Sequence, residues 1–427
     1  MKRLLAYVVI LLACFGVFAL PPVGGVPVTA SDGQTTFRVT NGRGRIVSVA
    51  DSLGMDSVEV SLLTCSPGTE AYQLYGHTAL RVKDCPRRAD LVFNYGVFDF
   101  RVSHFVWRFI LGECDYWVDC FPYSYFVEDY GNRGSSVTEQ VLDLTAEEKL
   151  RLYVGLVQNT QPENKTYRYN FLTNNCTTKA RDMIERAVEG RLVYEEADEH
   201  VTYRQLLHHC TQAYPWSEQG NDILLGADCD TLLSDRAAQF LPEQLMRYLE
   251  TAQIYDSLNN RRPLIRETRV LLEARPQANA ERRKGYVARL ATPTGISAVL
   301  LLLFLFIILV EYRTQRMWWV IDALSMTLQG IAGTLLCFMF FFSLHPTMDS
   351  NWQVWVFNPL PLLFMPWVVR CAIKGKVCLY HYFNMLWLTL FLVFSLWIPQ
   401  DFSTMTLPLA LALLLRSVSY YLHYIQK

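Results

Sequence analysis

Two periodicities run along this chain in turn. Alternation of apolar and polar positions marks strands in the first part. Val58-Glu-Val-Ser-Leu-Leu-Thr64 reads as one. Thr78–Val82 and Leu91–Phe98 form a predicted hairpin across the polar turn Lys83–Asp90. Val137–Leu144 suggests a further strand, after which Thr145 caps a helix to about Asn159, with Glu148 completing a capping box. Tyr167–Phe171 looks extended, and Asn174-Asn175-Cys176 leads into a helical pattern over Thr177–Glu189 that Gly190 ends. Residues 202–260 read as helices and loops. Beyond Pro293 the pattern becomes almost continuously apolar, in segments of roughly Thr294–Val310, Val320–Phe342, Val354–Ile373, Leu379–Ile398 and Met405–Tyr424. Each is long and apolar enough to be predicted as a membrane span.

Charge follows the same division. The 134 residues after Pro293 hold eleven Asp, Glu, Lys and Arg, against 39 Lys+Arg and 40 Asp+Glu in the whole chain. A soluble domain followed by a membrane domain is the organisation this implies, and it excludes a purely cytoplasmic or secreted protein. The net charge of -1 argues against a nucleic-acid partner held by a basic surface.

The N-terminus predicts which side the soluble domain occupies. Lys2 and Arg3 precede an apolar run from Leu4 to Leu20, and small residues follow as far as Val28-Thr29-Ala30. This pattern reads as an export signal, cleaved or kept as an anchor, over residues 1–30. Cys14 lies inside the apolar run, so a buried signal cysteine is favoured over a lipidation site. With the domain exported, Arg313, Arg316, Lys374, Lys376 and Lys427 fall on the cytoplasmic side, whereas the loops near His345–Gln353 and Pro399–Thr404 carry no Lys or Arg. Arg275, Arg282, Arg283, Lys284 and Arg289 stand against this trend just before the first span, in a predicted basic juxtamembrane linker over 261–293. A long domain translocates despite such charge. The predicted parts are therefore an exported domain over 31–260, that linker, and a membrane domain over 294–427.

Seven cysteines lie in the exported part: Cys65, Cys85, Cys114, Cys120, Cys176, Cys210 and Cys229. An odd number in an oxidising compartment leaves one thiol over, and six would make three bridges, Cys114 with Cys120 among the possible pairs. No spacing suggests a metal site, and no cofactor is called for. Cys176 is the expected spare thiol. It stands at a predicted helix start, where backbone amides and the helix dipole favour a thiolate. His77 follows Tyr75-Gly76 at the head of a strand, where a loop meets the sheet. A thiol at a helix start with a histidine on a strand is the logic of papain-like thiol enzymes. Asn94, on the returning strand, could orient the imidazole, but that placement depends on hairpin register, and an ordinary sheet hydrogen bond is the favoured reading. The aromatic stretch Phe105, Trp107 and Phe109, with Tyr116, Trp117 and Phe121 beyond it, reads equally as core packing or as the lining of an acyl-chain groove.

Three stretches resemble a known family. Tyr75-Gly-His-Thr-Ala-Leu-Arg-Val82, Phe93-Asn-Tyr-Gly-Val-Phe-Asp-Phe100 and Asn170-Phe-Leu-Thr-Asn-Asn-Cys-Thr177 look like the extracytoplasmic domain of Lnb-type bacterial lipoprotein N-acyltransferases. His345-Pro346, Asn351-Trp352 and Asn358-Pro359-Leu360 look like that family's loop before the third span. The His-before-Cys order further resembles the permuted branch of the NlpC/P60 superfamily. The resemblance implies an α+β fold, with a permuted papain-like (NlpC/P60-type) extracytoplasmic domain followed by an all-α membrane domain of five transmembrane helices. It implies a cytoplasmic-membrane enzyme that attacks an ester with Cys176, holds the acyl chain as a thioester and passes it to a lipoprotein amine, with His77 moving the proton. The partners implied are a diacylglyceryl-lipoprotein substrate and membrane lipid, with no obligate protein partner. The Cys176 amide and the Tyr75 hydroxyl are expected as oxyanion donors. Asn175, His345, Asn351 and Asn358 are expected near substrate, although for Asn358 a bond to backbone freed by the adjacent prolines is the favoured reading and seating a lipid headgroup the alternative. Two other readings stay open: a membrane-tethered cysteine peptidase or amidase of wall peptide, and a non-enzymatic protein that binds acylated ligands.

Overall fold

The computed structural model describes residues 26–29, 35–40, 46–195, 201–275 and 291–425. Most of the expected export signal and most of the basic cluster before the first span therefore lie outside the described residues. Of the signal region, residues 26–29 are described, as a strand paired with 35–40.

A seven-stranded antiparallel sheet forms the frame of the N-terminal domain. Its strands are β1 (Val58–Cys65), β2 (His77–Asp84), β3 (Ala89–Val97), β4 (Asp115–Pro122), β5 (Val137–Leu142), β6 (Thr166–Arg168) and β7 (Ile265–Leu272). They lie side by side in the order β7-β5-β1-β2-β3-β4-β6. The predicted hairpin is β2–β3, one residue longer at its start because His77 itself pairs with Cys65 across β1. Between and after the strands come α1 (Phe105–Ile110), α2 (Tyr123–Arg133), α3 (Ala146–Asn159), α4 (Cys176–Ala187), α5 (Tyr203–Thr211), α6 (Pro215–Leu224) and α7 (Pro242–Thr251). Helix α3 starts at Thr145 with the expected Thr145–Glu148 capping box. Helix α4 packs on β2 and β3, and apolar residues of both layers form one core that includes Leu62, Leu80, Phe93, Ala180 and Ile184.

Residues 261–272, expected to open a linker, belong to sheets instead. Residues 261–263 pair with 253–255, and β7 pairs with β5. β7 is an edge strand whose outward Arg266 and Arg269 reach Glu59 at 2.9 Å. Charge of this kind blunts a sheet edge, and in sequence it looks like a tether.

Among the described residues the three expected bridges do not form. Cys65, Cys85, Cys114, Cys176, Cys210 and Cys229 are all thiols. Cys114 and Cys120 flank and occupy the extended strand β4, where six residues span about 20 Å, far beyond the reach of a bridge.

The C-terminal part is a bundle of five helices: α8 (Pro293–Thr314), α9 (Trp319–Phe342), α10 (Leu360–Ile373), α11 (Leu379–Phe394) and α12 (Thr406–Ile425). By length and composition, Pro293–Thr314, Trp319–Phe342 and Trp352–Ile373 are apolar enough to cross a membrane, and Leu379–Phe394 is apolar but shorter. Asp322 is buried in an ion cluster. Arg416 on α12 donates to Asp322 at 2.6 and 2.9 Å and to both oxygens of Glu311 on α8. Three helices are thereby joined at one polar point within an apolar bundle.

Candidate active site

The site is assembled by the β2–β3 hairpin and the start of α4. Asn175 is the N-cap of α4: its carbonyl accepts from the amides of Thr177 and Thr178, and Thr178 returns the contact in a reciprocal capping box. Its amide donates to the carbonyls of Phe171 and Phe240. Asn175, expected to contact substrate, is thus buried and fully spent on backbone. Those four bonds fix Cys176 as the first residue of α4. The Thr177 hydroxyl lies 3.1 Å from that of Thr78, next to His77, so helix and strand are joined one residue away from both reactive groups.

The Asn94 side chain bonds the imidazole, against the favoured reading of an ordinary sheet hydrogen bond. Its Oδ1 is 2.5 Å from His77 Nε2, and a carbonyl oxygen can only accept, so Nε2 carries the proton and Nδ1 is left for the thiol. Tyr130 lies nearly parallel to the ring, 6.3 Å between centroids. Burial alone would push the Cys176 thiol up. The charge and hydrogen bond of His77 outweigh it, with help from the Thr78 amide and the Thr177 hydroxyl, and lower the thiol to about 7. Burial likewise disfavours a charged His77, and the facing Cys176 together with Asn94 more than offsets this, raising the imidazole. Both shifts favour a thiolate–imidazolium pair. Cys65, Cys114, Cys210 and Cys229 move the other way, pushed up by burial.

Gly96 is what lets the two sides meet. It sits in a bulge of β3, where Asn94 pairs with Asp119 and Val97 already pairs with Trp117, and its φ is +88°. A Cβ there would stand 3.4 Å from the Cys176 Cβ, 3.9 Å from His77 Cε1 and 4.0 Å from the Tyr167 hydroxyl. Tyr167 was not singled out in the sequence. Its hydroxyl is buried beside the pair, and the structure gives its proton no acceptor. The signal for this corner is an isolated glycine inside a strand pattern, which marks a bulge or a close approach. Tyr75 is engaged elsewhere: Asn221 donates to its hydroxyl at 2.7 Å, and its ring packs on Phe171. The reactive pair opens on a cavity of about 910 Å³ walled by aromatic rings, among them Phe98, Phe100, Tyr116 and Tyr169. Tyr75 and Asn175 also line it.

His345, Asn351 and Asn358 do not line this cavity. His345 Nε2 donates to the Phe109 carbonyl at 2.5 Å. Asn351, fully buried, donates to the Ile223 carbonyl at 2.7 Å. Gln353 and Gln400 bond the carbonyls of Asp222 and Leu225. Carbonyls at a helix C-terminus lack partners within the helix, and the end of α6 finds them on the C-terminal bundle. These residues are seams between the two domains. Asn358 bonds the Trp355 carbonyl and the Leu360 amide at the Pro359-broken start of α10, the reading favoured for it.

Two family models match the chain. One, the Lnb N-terminal periplasmic domain, covers residues 48–209, and the other, the Lnb transmembrane domain, covers 286–427. The chain belongs to the Lnb family. No curated protein and no solved structure matches it. The mixed sheet-and-helix domain that carries Cys176 is accordingly the periplasmic domain of an inner-membrane Lnb protein, and the apolar bundle is its transmembrane domain.

Proposed function

We propose that this Lnb protein is a lipoprotein N-acyltransferase that carries an acyl chain on Cys176. The observation that supports it most is a thiol brought down to about 7 by a histidine that Asn94 orients, facing an aromatic cavity beside a membrane bundle. A thiolate is the nucleophile for ester cleavage. The aromatic wall of the cavity, in a domain joined to a membrane bundle, suits an acyl chain, and its polar lining of Glu128, Asp129, Asn132 and Arg133 suits a headgroup. Histidine preceding cysteine, on a strand against which the cysteine helix packs, supports a permuted papain-like arrangement.

The steps follow from the groups present. The Cys176 sulfur attacks the carbonyl carbon of a glyceryl ester, and the tetrahedral oxyanion is held by the Cys176 amide and the Tyr167 phenol. The C–O bond breaks, and the imidazolium of His77 gives its proton to the departing glyceryl oxygen. The free α-amine of a diacylglyceryl-cysteine then attacks the thioester. His77 takes the amine proton and returns it to the leaving sulfur, so the amide forms and the thiol is restored. Asn94 keeps the imidazole tautomer through both halves.

All five apolar helices are read as spans. The short helical turn at Trp352–Trp355 extends the third to Trp352–Ile373. Arg313, Arg316, Lys374 and Lys376 then face the cytoplasm, and the loops with Asp349 and Asp401 face the same side as Cys176.

The test is mass spectrometry of a reporter lipoprotein's N-terminal peptide from a host without its own N-acyltransferase. The wild type should yield an amide-linked acyl group, and equally expressed Cys176→Ala and His77→Ala variants should not. A free amine with well-folded wild type would refute the reading.

A further inference from the structure

The reactive cavity and the membrane bundle are joined by an exposed aromatic surface that no step above uses. From the cavity wall, ring follows ring: Tyr169 to Tyr116 at 4.2 Å, Tyr116 to Phe98 at 4.9 Å, Phe98 to Phe100 at 4.7 Å, Phe100 to Phe105 at 5.1 Å, and Phe105 to Phe109 at 6.3 Å. The run ends on the transmembrane domain. The carbonyls of Phe109, Ile110 and Leu111, at the end of α1, are taken by His345, Ser343 and Leu344 just past the end of α9.

Depth follows from the same contacts. The Trp107 ring lies 5.2 Å from that of Phe338. Phe338 stands four residues before the end of α9 at Phe342, or about 6 Å down the helix axis. The Trp107 ring therefore reaches below the tip of a membrane helix, while the end of α1 is held level with that tip. On the side away from Phe338 the surface is open: Val106 is 70 % exposed, Trp107 52 % and Phe100, just before the helix, 58 %. Phe341, Phe342 and Leu344 of the bundle extend the same surface. Arg108, the one charged residue of α1, turns back to Asp115 at 2.5 Å. An aromatic patch of this kind is unfavourable in water and suited to the interfacial zone of a bilayer, where tryptophan rings and short apolar faces embed.

We propose that the apolar side chains of residues 98–110 dip into the outer leaflet, with the exposed Asp99–Arg101 ion pair left among the headgroups, and form a ramp along which an acyl chain of a bilayer lipid leaves its neighbours and enters the Cys176 cavity. The ramp rests on the acyltransferase reading for its purpose, although its immersion stands on the contacts alone. It also accounts for the two domains being tied at this seam, because a hinge there would lift α1 out of the lipid.

The test uses the full chain in liposomes of phosphatidylethanolamine and phosphatidylglycerol. Benzoylphenylalanine replaces Val106 or, as control, the exposed Val154 of α3, and illuminated protein is analysed by mass spectrometry. A phospholipid adduct at position 106 and none at 154 is expected. No adduct at 106, or equal adducts at both, would overturn immersion. This arm requires no turnover, so lipid capture at 106 by a protein that transfers no acyl group would defeat the transferase reading and leave immersion standing. The second arm compares acyl transfer from a bilayer-embedded diacylglyceryl lipopeptide with Cys176 acylation by a soluble short-chain nitrophenyl ester. Val106→Asp should lower the ratio of the two rates about tenfold, and Val106→Leu should restore it. An unchanged ratio with Val106→Asp would overturn the ramp.

Discussion

Cys176 and Cys65 show how much one neighbour decides. Cys65 pairs with His77 along the sheet and Cys176 faces its ring, yet Cys65 is raised by burial and Cys176 lowered to about 7 by the facing imidazole. The sign of the shift sets the pH dependence. A lowered thiol is already thiolate above about 7, so the rate of Cys176 alkylation by iodoacetamide should rise with a midpoint near 7. His77→Ala removes the group that offsets burial, and the midpoint should move upward, beyond the ordinary thiol value. A midpoint unmoved by His77→Ala would contradict the pairing. Tyr167 carries a separate prediction. If its phenol holds the oxyanion, Tyr167→Phe should lower kcat by about 10²-fold with KM and melting temperature little changed, because the donor acts in the transition state. His77 and Cys176 were legible in the sequence because each stands at a local boundary, a strand head and a helix start. Tyr167 was not, because its meeting with Gly96 depends on a bulge that local pattern only hints at.

At the level of elements, local signals proved dependable and polar outliers did not. The hairpin and the Thr145 capping box follow from residues adjacent in sequence. Asn175 was misread for an instructive reason: Asn-Cys-Thr-Thr is a helix-cap pattern, and beside a nucleophile a cap looks like a substrate contact. Its role makes a prediction. Asn175→Ala strips two amides and two carbonyls of their partner and should destabilise the domain by about 1–3 kcal/mol, read as a lower melting temperature. A purely substrate-binding role would raise KM and leave melting unchanged. β7 was misread because an edge strand carrying Arg266 and Arg269 has the composition of a tether. Its partners, β5 and Glu59, lie more than a hundred residues away.

Across the whole molecule, the division into a periplasmic domain and a membrane bundle was plain from charge density, whereas the way they join was not. His345, Asn351, Gln353 and Gln400 satisfy carbonyls on α1 and α6, a long-range exchange that no window of sequence reports. Truncating one buried donor leaves a carbonyl unsatisfied. Gln353→Ala should therefore cost about 1–3 kcal/mol and speed proteolysis between the domains, while iodoacetamide still labels Cys176 at the same rate. The Glu311–Arg416–Asp322 cluster is a stronger case of the same kind. Arg416→Met would strand two buried carboxylates and should lower stability in detergent by about 3–5 kcal/mol, detected as a fall in melting temperature.

The central claim is that the acyl chain rests on Cys176 before it reaches the amine, and intact-mass analysis of the enzyme tests it most directly. The purified full chain would be incubated with a diacylglyceryl lipopeptide whose α-amine is acetylated, so that the second half-reaction cannot proceed. One acyl adduct should accumulate on Cys176, released by neutral hydroxylamine and absent from Cys176→Ala. If Cys176→Ala protein still N-acylates an unblocked lipopeptide, and the wild type carries no adduct at Cys176, the thioester mechanism is wrong.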